Sequence, residues 1–192
     1  QGELPAARLE QAAARTAALA AWTLDGSGIA DPEPPDLGYQ AAKQAVQVEG
    51  AMDGLAGALV VQLESGFSIA EGRVPWGLLP HLADGAVDLV DAALISSEQL
   101  RQRAGDRPVV LVGRHVHSSP AARALIEKLA ADHPCAVVEM GWPAAWRPSG
   151  IEAFVTTHGA SYAHGAALAE LLGLDRVSQL TPAPPPRPAS QV

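Results

Sequence analysis

Cysteine is almost missing from this chain. Cys135 stands alone among 192 residues, which excludes an intrachain disulfide framework and any multi-cysteine zinc site. It opens an apolar strand, so it reads as a small buried hydrophobe. One thiol is compatible with a reducing compartment, and a cytoplasmic setting is the reading this favours. Basic residues are scarce too. The 13 Lys and Arg against 21 Asp and Glu give a net charge of −8 and a pI near 5.1. That field repels phosphates, and no basic stripe or aromatic-interleaved platform offsets it, so nucleic acid is not an expected partner. No apolar run reaches the roughly 20 residues of a membrane-spanning helix, and no charged segment leading into a hydrophobic one opens the chain. Walker, Gly-x-Gly-x-x-Gly, His-Glu-x-x-His and Gly-x-Ser-x-Gly patterns are all missing. No cofactor is implied.

What is present is the composition of a globular domain, 48% hydrophobic and 18% charged, long enough to bury a core. Pro5 to about Trp22 reads as a helix with Leu9, Ala12, Ala13, Thr16, Leu19 and Ala20 on one face. It begins almost at Gln1, as expected of a piece of a longer polypeptide. Gly26 to Pro35 is a loop, and the expected domain junction. Asp36 is expected to cap a short helix running to about Val48. Strands follow at 58–63 and 87–90, with a loop carrying a short helix between them. Ser96 or Ser97 opens a polar helix ending near Gly105.

Three phrases then dominate. Arg107-Pro-Val-Val-Leu-Val-Gly-Arg-His-Val-His-Ser-Ser-Pro120 is a strand running into a helix N-terminus, with Ser119 and Pro120 as cap and first turn. Cys135-Ala-Val-Val-Glu-Met-Gly-Trp-Pro143 is a second strand with its loop. Ile151-Glu-Ala-Phe-Val-Thr-Thr-His-Gly-Ala-Ser161 is a third, ending in a turn before a helix that Gly173 closes. Apolar strands alternating with amphipathic helices predict an α/β fold: a mostly parallel, five- or six-stranded sheet with helices on both faces, a Rossmann- or flavodoxin-like three-layer sandwich. The Pro-rich residues 181–192 cannot build a core and are expected to be disordered.

These three phrases, in this order, resemble the C-terminal domain of glycoside hydrolase family 3 in its bacterial β-N-acetylglucosaminidase (β-N-acetylhexosaminidase) branch. The resemblance is clearest from Arg107 to Leu172, and Gly2 to Leu9 is similar to the last helix of that family's barrel. It implies residues 1–25 as the end of the barrel and its linker, 26–180 as the α/β domain, and 181–192 as a tail. It also implies a parent glycosidase acting on β-linked N-acetylglucosaminides, with the barrel domain of the parent chain as partner and carbohydrate as ligand. The family's Lys-His-Phe-Pro-Gly-like strand, its nucleophilic Asp and its His–Asp acid pair have no counterpart here. The resemblance thus implies an accessory domain, inactive alone. The alternative is a free-standing module that binds sugars or partners, or dimerises.

Eight residues are candidates for crevice or interdomain contacts: Arg114, His115, His117, Glu139, Trp142, Trp146, His158 and Ser161. His115 and His117 are two apart at a strand end, hence expected on one face; zinc would need a third ligand, and polar capping of the strand end is the preferred reading. The loop departs from the family's Arg-Asp-Ala-His-like sequence by lacking the Asp. Glu139 is the odd charge in an apolar strand and must be paired or hydrogen-bonded; a structural, interdomain role is preferred over an acid–base one. Trp142 and Trp146 could stack on sugar or pack on protein. Ser161 is read as a helix cap beside His158 and Gly159.

Overall fold

The structure is a computed structural model that describes residues 4–25, 36–64, 75–83 and 85–174, with Asp25 described by its backbone alone. The expected loop at 26–35 and tail at 181–192 lie outside these residues. The chain divides into two compact units, Gln1–Pro35 and Asp36–Val192.

The first unit carries helix α1, Ala6–Asp25, whose Leu9, Leu19 and Trp22 are exposed. The second is a six-stranded α/β domain. Its elements are α2 (Leu37–Ala45), β1 (Gln47–Gly50), β2 (Leu59–Leu63), β3 (Asp88–Val90), α3 (Ser97–Ala104), β4 (Val109–Gly113), α4 (Pro120–Asp132), β5 (Cys135–Glu139), β6 (Ala153–Thr156) and α5 (Tyr162–Leu171). The sheet order is β1-β6-β5-β4-β2-β3, with β1 antiparallel to β6 and every other pair parallel.

Alternation along the strands explains the layers. Val61, Leu63, Val109, Leu111, Val137 and Phe154 face one way, onto Leu100 of α3 and Leu125, Ile126 and Leu129 of α4. Val60, Val110, Val112, Ala136, Val138 and Val155 face the other way, onto Leu168 of α5 and Leu78 and Leu82 of the loop after β2. Every residue of β4 and β5 is buried, as a strand covered on both faces requires. Burial pushes the Cys135 thiol, at the head of β5, up to about 11, with Glu152 adding to the shift; it is an inert part of the core.

Helix ends follow local chemistry. Ser96 and Gln99 form a reciprocal capping box at α3. The Ser119 hydroxyl accepts from Ala122 N at α4, with Pro120 in the first turn. Two expectations are corrected. Asp36 precedes α2 but does not cap its backbone; its carboxylate accepts from Gln40 Nε2 instead. The helix also stops at Ala45 rather than near Val48, and the chain turns into β1. All four β1 residues are exposed, so no apolar pattern announces this strand. What forms it is the otherwise open edge of β6, whose backbone groups β1 pairs from Gln47↔Thr156 to Gly50↔Ala153.

A two-pronged contact holds that edge. Arg147, in the loop between β5 and β6, donates from Nε and Nη2 to the Glu49 carboxylate of β1, at 2.7–3.1 Å, and its guanidinium lies 4.1 Å from the Phe154 ring centroid. The hydrogen bonds from Arg147 hold the Glu49 carboxyl below its ordinary 4.5. A carboxylate depressed in the folded state stabilises above its unfolded value and ceases to as pH falls through its folded one. Glu49→Gln should therefore melt slightly below the unaltered protein at about pH 7, with the gap closing as pH drops through the region below 4.5. Paired thermal melts across that range check it.

Candidate functional site at the carboxyl edge of the sheet

The strand order reverses once. From β2 the chain moves outward to β3, returns across β2 to β4, and continues through β5 to β6. Loops leaving β2 and β4 therefore diverge at their carboxyl ends, the place where open α/β sheets bind ligands. Two aromatic–cation features and most of the histidines lie on this edge.

At the reversal itself, the Arg114 guanidinium sits 5.1 Å over the Trp76 ring. Trp76 is held from below by a side chain that the sequence reading passed over. Gln62 of β2 is 2% exposed; its Nε2 donates to Trp76 O and its Oε1 accepts from Leu78 N. A polar residue inside an otherwise apolar strand was the available signal. Gly77, with φ of 75°, fits here because any side chain would collide with the Gln62 amide.

One step along the sheet, Glu139 ends β5 at 1% exposure. It is turned onto backbone rather than out toward a ligand or a neighbouring domain. Oε1 accepts from His115 N and Gly141 N, both at 2.7 Å, and Oε2 accepts from Val116 N at 2.9 Å. These are charge-assisted bonds to two different loops. All three of these donors belong to the α/β unit itself. Three of the carboxylate's roughly four lone-pair positions are thereby taken by main-chain donors.

His115 and His117 do not alternate as strand residues. The strand stops at Gly113, His115 adopts a left-handed φ of 55°, and a 3-10 turn covers Val116–Ser118. Their rings stand 6.0 Å apart and nearly perpendicular. His117 Nδ1 lies 3.6 Å from Glu139 Oε2, while His115 is exposed. Among the described residues no group of three His, Cys, Asp or Glu is arranged to hold a metal ion. Gly141 lets the loops meet, because a Cβ there would lie 2.8 Å from Glu139 Oε1 and 2.9 Å from His115 Nδ1.

The two tryptophans after β5 part company. Trp146 packs against α4: its Nε1 donates to Glu127 at 3.1 Å, and Arg123 covers its ring at 5.4 Å. Trp142 is 75% exposed. After β6, His158 is exposed at a left-handed φ of 57°. Ser161 precedes α5, but its hydroxyl does not cap the backbone; it lies 2.8 Å from His164 Nδ1. Burial, then the nearby His158, holds the His164 imidazole below its ordinary 6.5, so near neutrality it is uncharged. The structure thus gathers Arg114, His115, His117 and Glu139 into one loop junction. It turns Trp146 away to α4 and places His158 and Ser161 at the β6–α5 turn.

No protein-family model matches this sequence, and no curated protein matches it. A solved structure does match: the glycoside hydrolase family 3 β-N-acetylglucosaminidase from Paenibacillus sp., with a TM-score of 0.59 at 17% sequence identity. The match covers 88% of this chain and 38% of that one. The likeness is one of fold. This chain spans well under half the length of that enzyme.

Substitutions at the loop junction separate its parts. Glu139→Gln replaces one acceptor by an N–H₂ facing backbone donors and should cost about 1–3 kcal/mol. Gly141→Ala should destabilise measurably by collision. His115→Gly should be tolerated, because its side chain is exposed and glycine accepts the positive φ. Urea denaturation of the three variants checks the order.

Proposed function

We propose that this chain is the C-terminal α/β domain of a longer family 3 glycoside hydrolase, and that it does no bond-breaking chemistry itself. The observation that carries the reading is the fold likeness over most of this chain but a minor part of the longer enzyme. The order of the three strand-end phrases in the sequence supports it, and so does the use of Glu139 as an acceptor for three backbone donors. The parent acts on β-linked N-acetylglucosaminides in carbohydrate metabolism, cell-wall turnover included, and its barrel domain is this chain's partner. A retaining glycosidase needs a nucleophilic carboxylate and an acid roughly 5 Å apart across the scissile bond, and the motifs that carry the family's nucleophilic Asp and His–Asp acid pair have no counterpart in this sequence. A second reading, a sugar-binding module without hydrolase activity, draws on the exposed Trp142 ring.

The test is turnover. The chain alone should leave a chromogenic N-acetyl-β-glucosaminide uncleaved. A correctly placed acid–base group by itself is worth only about 10²–10⁴-fold, against accelerations that start near 10⁶-fold in enzymes. Hydrolysis that copurifies with the chain and disappears in Glu139→Gln, with the fold intact by circular dichroism, would overturn the accessory reading.

A further inference from the structure

We infer that Glu139 is a positioning residue that acts through His117. The carboxylate keeps the proton of the neutral imidazole on Nδ1, so Nε2 stands at the carboxyl edge of the sheet as a bare acceptor. A ligand meeting that atom must donate a hydrogen bond, as a hydroxyl, amide or ammonium group does. The pairing rests on local geometry and not on the fold likeness.

The buried Glu139 oxygens accept from three main-chain N–H groups, which suits the ionised, acceptor-only form. On Oε2, Val116 N takes one position, and His117 Nδ1 lies 3.6 Å away. That nitrogen is buried and has no hydrogen bond of its own. The separation is longer than a hydrogen bond, yet close enough for the charge to choose between the two ring forms. With the proton on Nε2, the Nδ1 lone pair would face an anion away from water. With the proton on Nδ1, the nitrogen nearest the anion carries a positive hydrogen. The second form wins, against the preference of a free imidazole for Nε2–H. Neighbouring charges are engaged elsewhere: Arg114 lies over Trp76, and Arg123 of α4 lies 3.7 Å from Glu127 and over Trp146. No titratable residue stands between Gly141 and Ala145 in the loop after β5.

The rest of the ring is open. His117 keeps 29% of its side chain in solvent while Nδ1 is enclosed, and Nε2 makes no hydrogen bond among the described residues. The turn that carries the ring is held at both ends, by Val116 N on Glu139 and by Ser118 N on His115 O at 2.9 Å. A histidine nitrogen gains its role from what the other nitrogen is bound to. Here a neutral acceptor is backed by a buried anion, so it attracts donors and repels carboxylates and phosphates. It stands at the carboxyl end of β4, beside the point where the strand order reverses.

Long-range nitrogen–proton NMR correlation on the chain at about pH 8, where imidazoles are largely neutral, reads the tautomer of each ring. His117 should show a protonated Nδ1 and a bare Nε2. His133 is the internal reference, because its Nε2 lies 2.8 Å from the acceptor Arg107 O and so carries the proton. In Glu139→Gln the side-chain N–H₂ can turn toward Nδ1, and His117 should go over to the Nε2–H form. Should that variant fail to fold, the tautomer in the unaltered chain decides alone. Diethyl pyrocarbonate probes the open nitrogen independently. The Nε2 lone pair attacks one carbonyl carbon, and ethyl carbonate leaves, breaking down to carbon dioxide and ethanol as it takes up the Nδ1 proton. Peptide mapping should find His117 modified in the unaltered chain and several-fold more slowly in Glu139→Gln. An Nε2–H ring at His117 in the unaltered chain would overturn the pairing, as would a His117 that resists the reagent while the exposed His115 reacts. An Nδ1–H ring that persists in a folded Glu139→Gln would also overturn it, leaving Glu139 a structural acceptor only.

Discussion

A carboxylate taken out of water must find its hydrogen bonds inside the protein or the fold around it does not form. Glu139 meets that demand with three backbone N–H groups, two from the loop after β4 and one from the loop after its own strand. The loop after β4 enters its 3-10 turn through the left-handed conformation of His115, an energetically unfavourable state for a residue with a side chain. The Glu139 bonds to His115 N and Val116 N, at the start of that turn, offset the cost. Gly141 allows the second loop to come close enough to share the same carboxylate. The positions of His115, His117 and Trp142 therefore depend on one buried charge.

Legibility in the sequence tracked burial. Strands β4, β5 and β6 are apolar on both faces, so their runs were readable, as were the cap residues Ser96 and Ser119, whose oxygens act on donors three residues away. Strand β1 was not readable, because its existence depends on the edge of β6, about a hundred residues distant. Glu139 was legible as an anomaly, yet its partners were not: besides Gly141 N they are main-chain donors 23 and 24 residues upstream, and a main-chain N–H carries no residue identity. Trp142 and Trp146, four positions apart, looked equivalent until Glu127 and Arg123 of α4 were seen to take one and leave the other exposed. Ser161 had the right position for a cap; the imidazole of His164 competed successfully for its hydroxyl.

These features give the carboxyl edge a division of labour. Gln62 and Glu139 are inner polar struts, each spanning from a strand to loops above it. Arg114, Trp76, His115, His117 and Trp142 are what the struts hold at or near the surface. A fold shared with part of a longer N-acetylglucosaminidase is compatible with an edge that presents side chains without performing catalysis, since fold likeness alone assigns no chemistry.

The central claim is that Glu139 organises this edge. Native-state amide hydrogen exchange on the isolated chain tests it most directly, because exchange reports the opening free energy of each amide. The account predicts that His115, Val116 and Gly141 exchange as slowly as the β4 and β5 amides despite lying in loops, and that Glu139→Gln selectively accelerates those three. Fast exchange at all three positions in the unaltered chain, with β4 and β5 still protected, would contradict it.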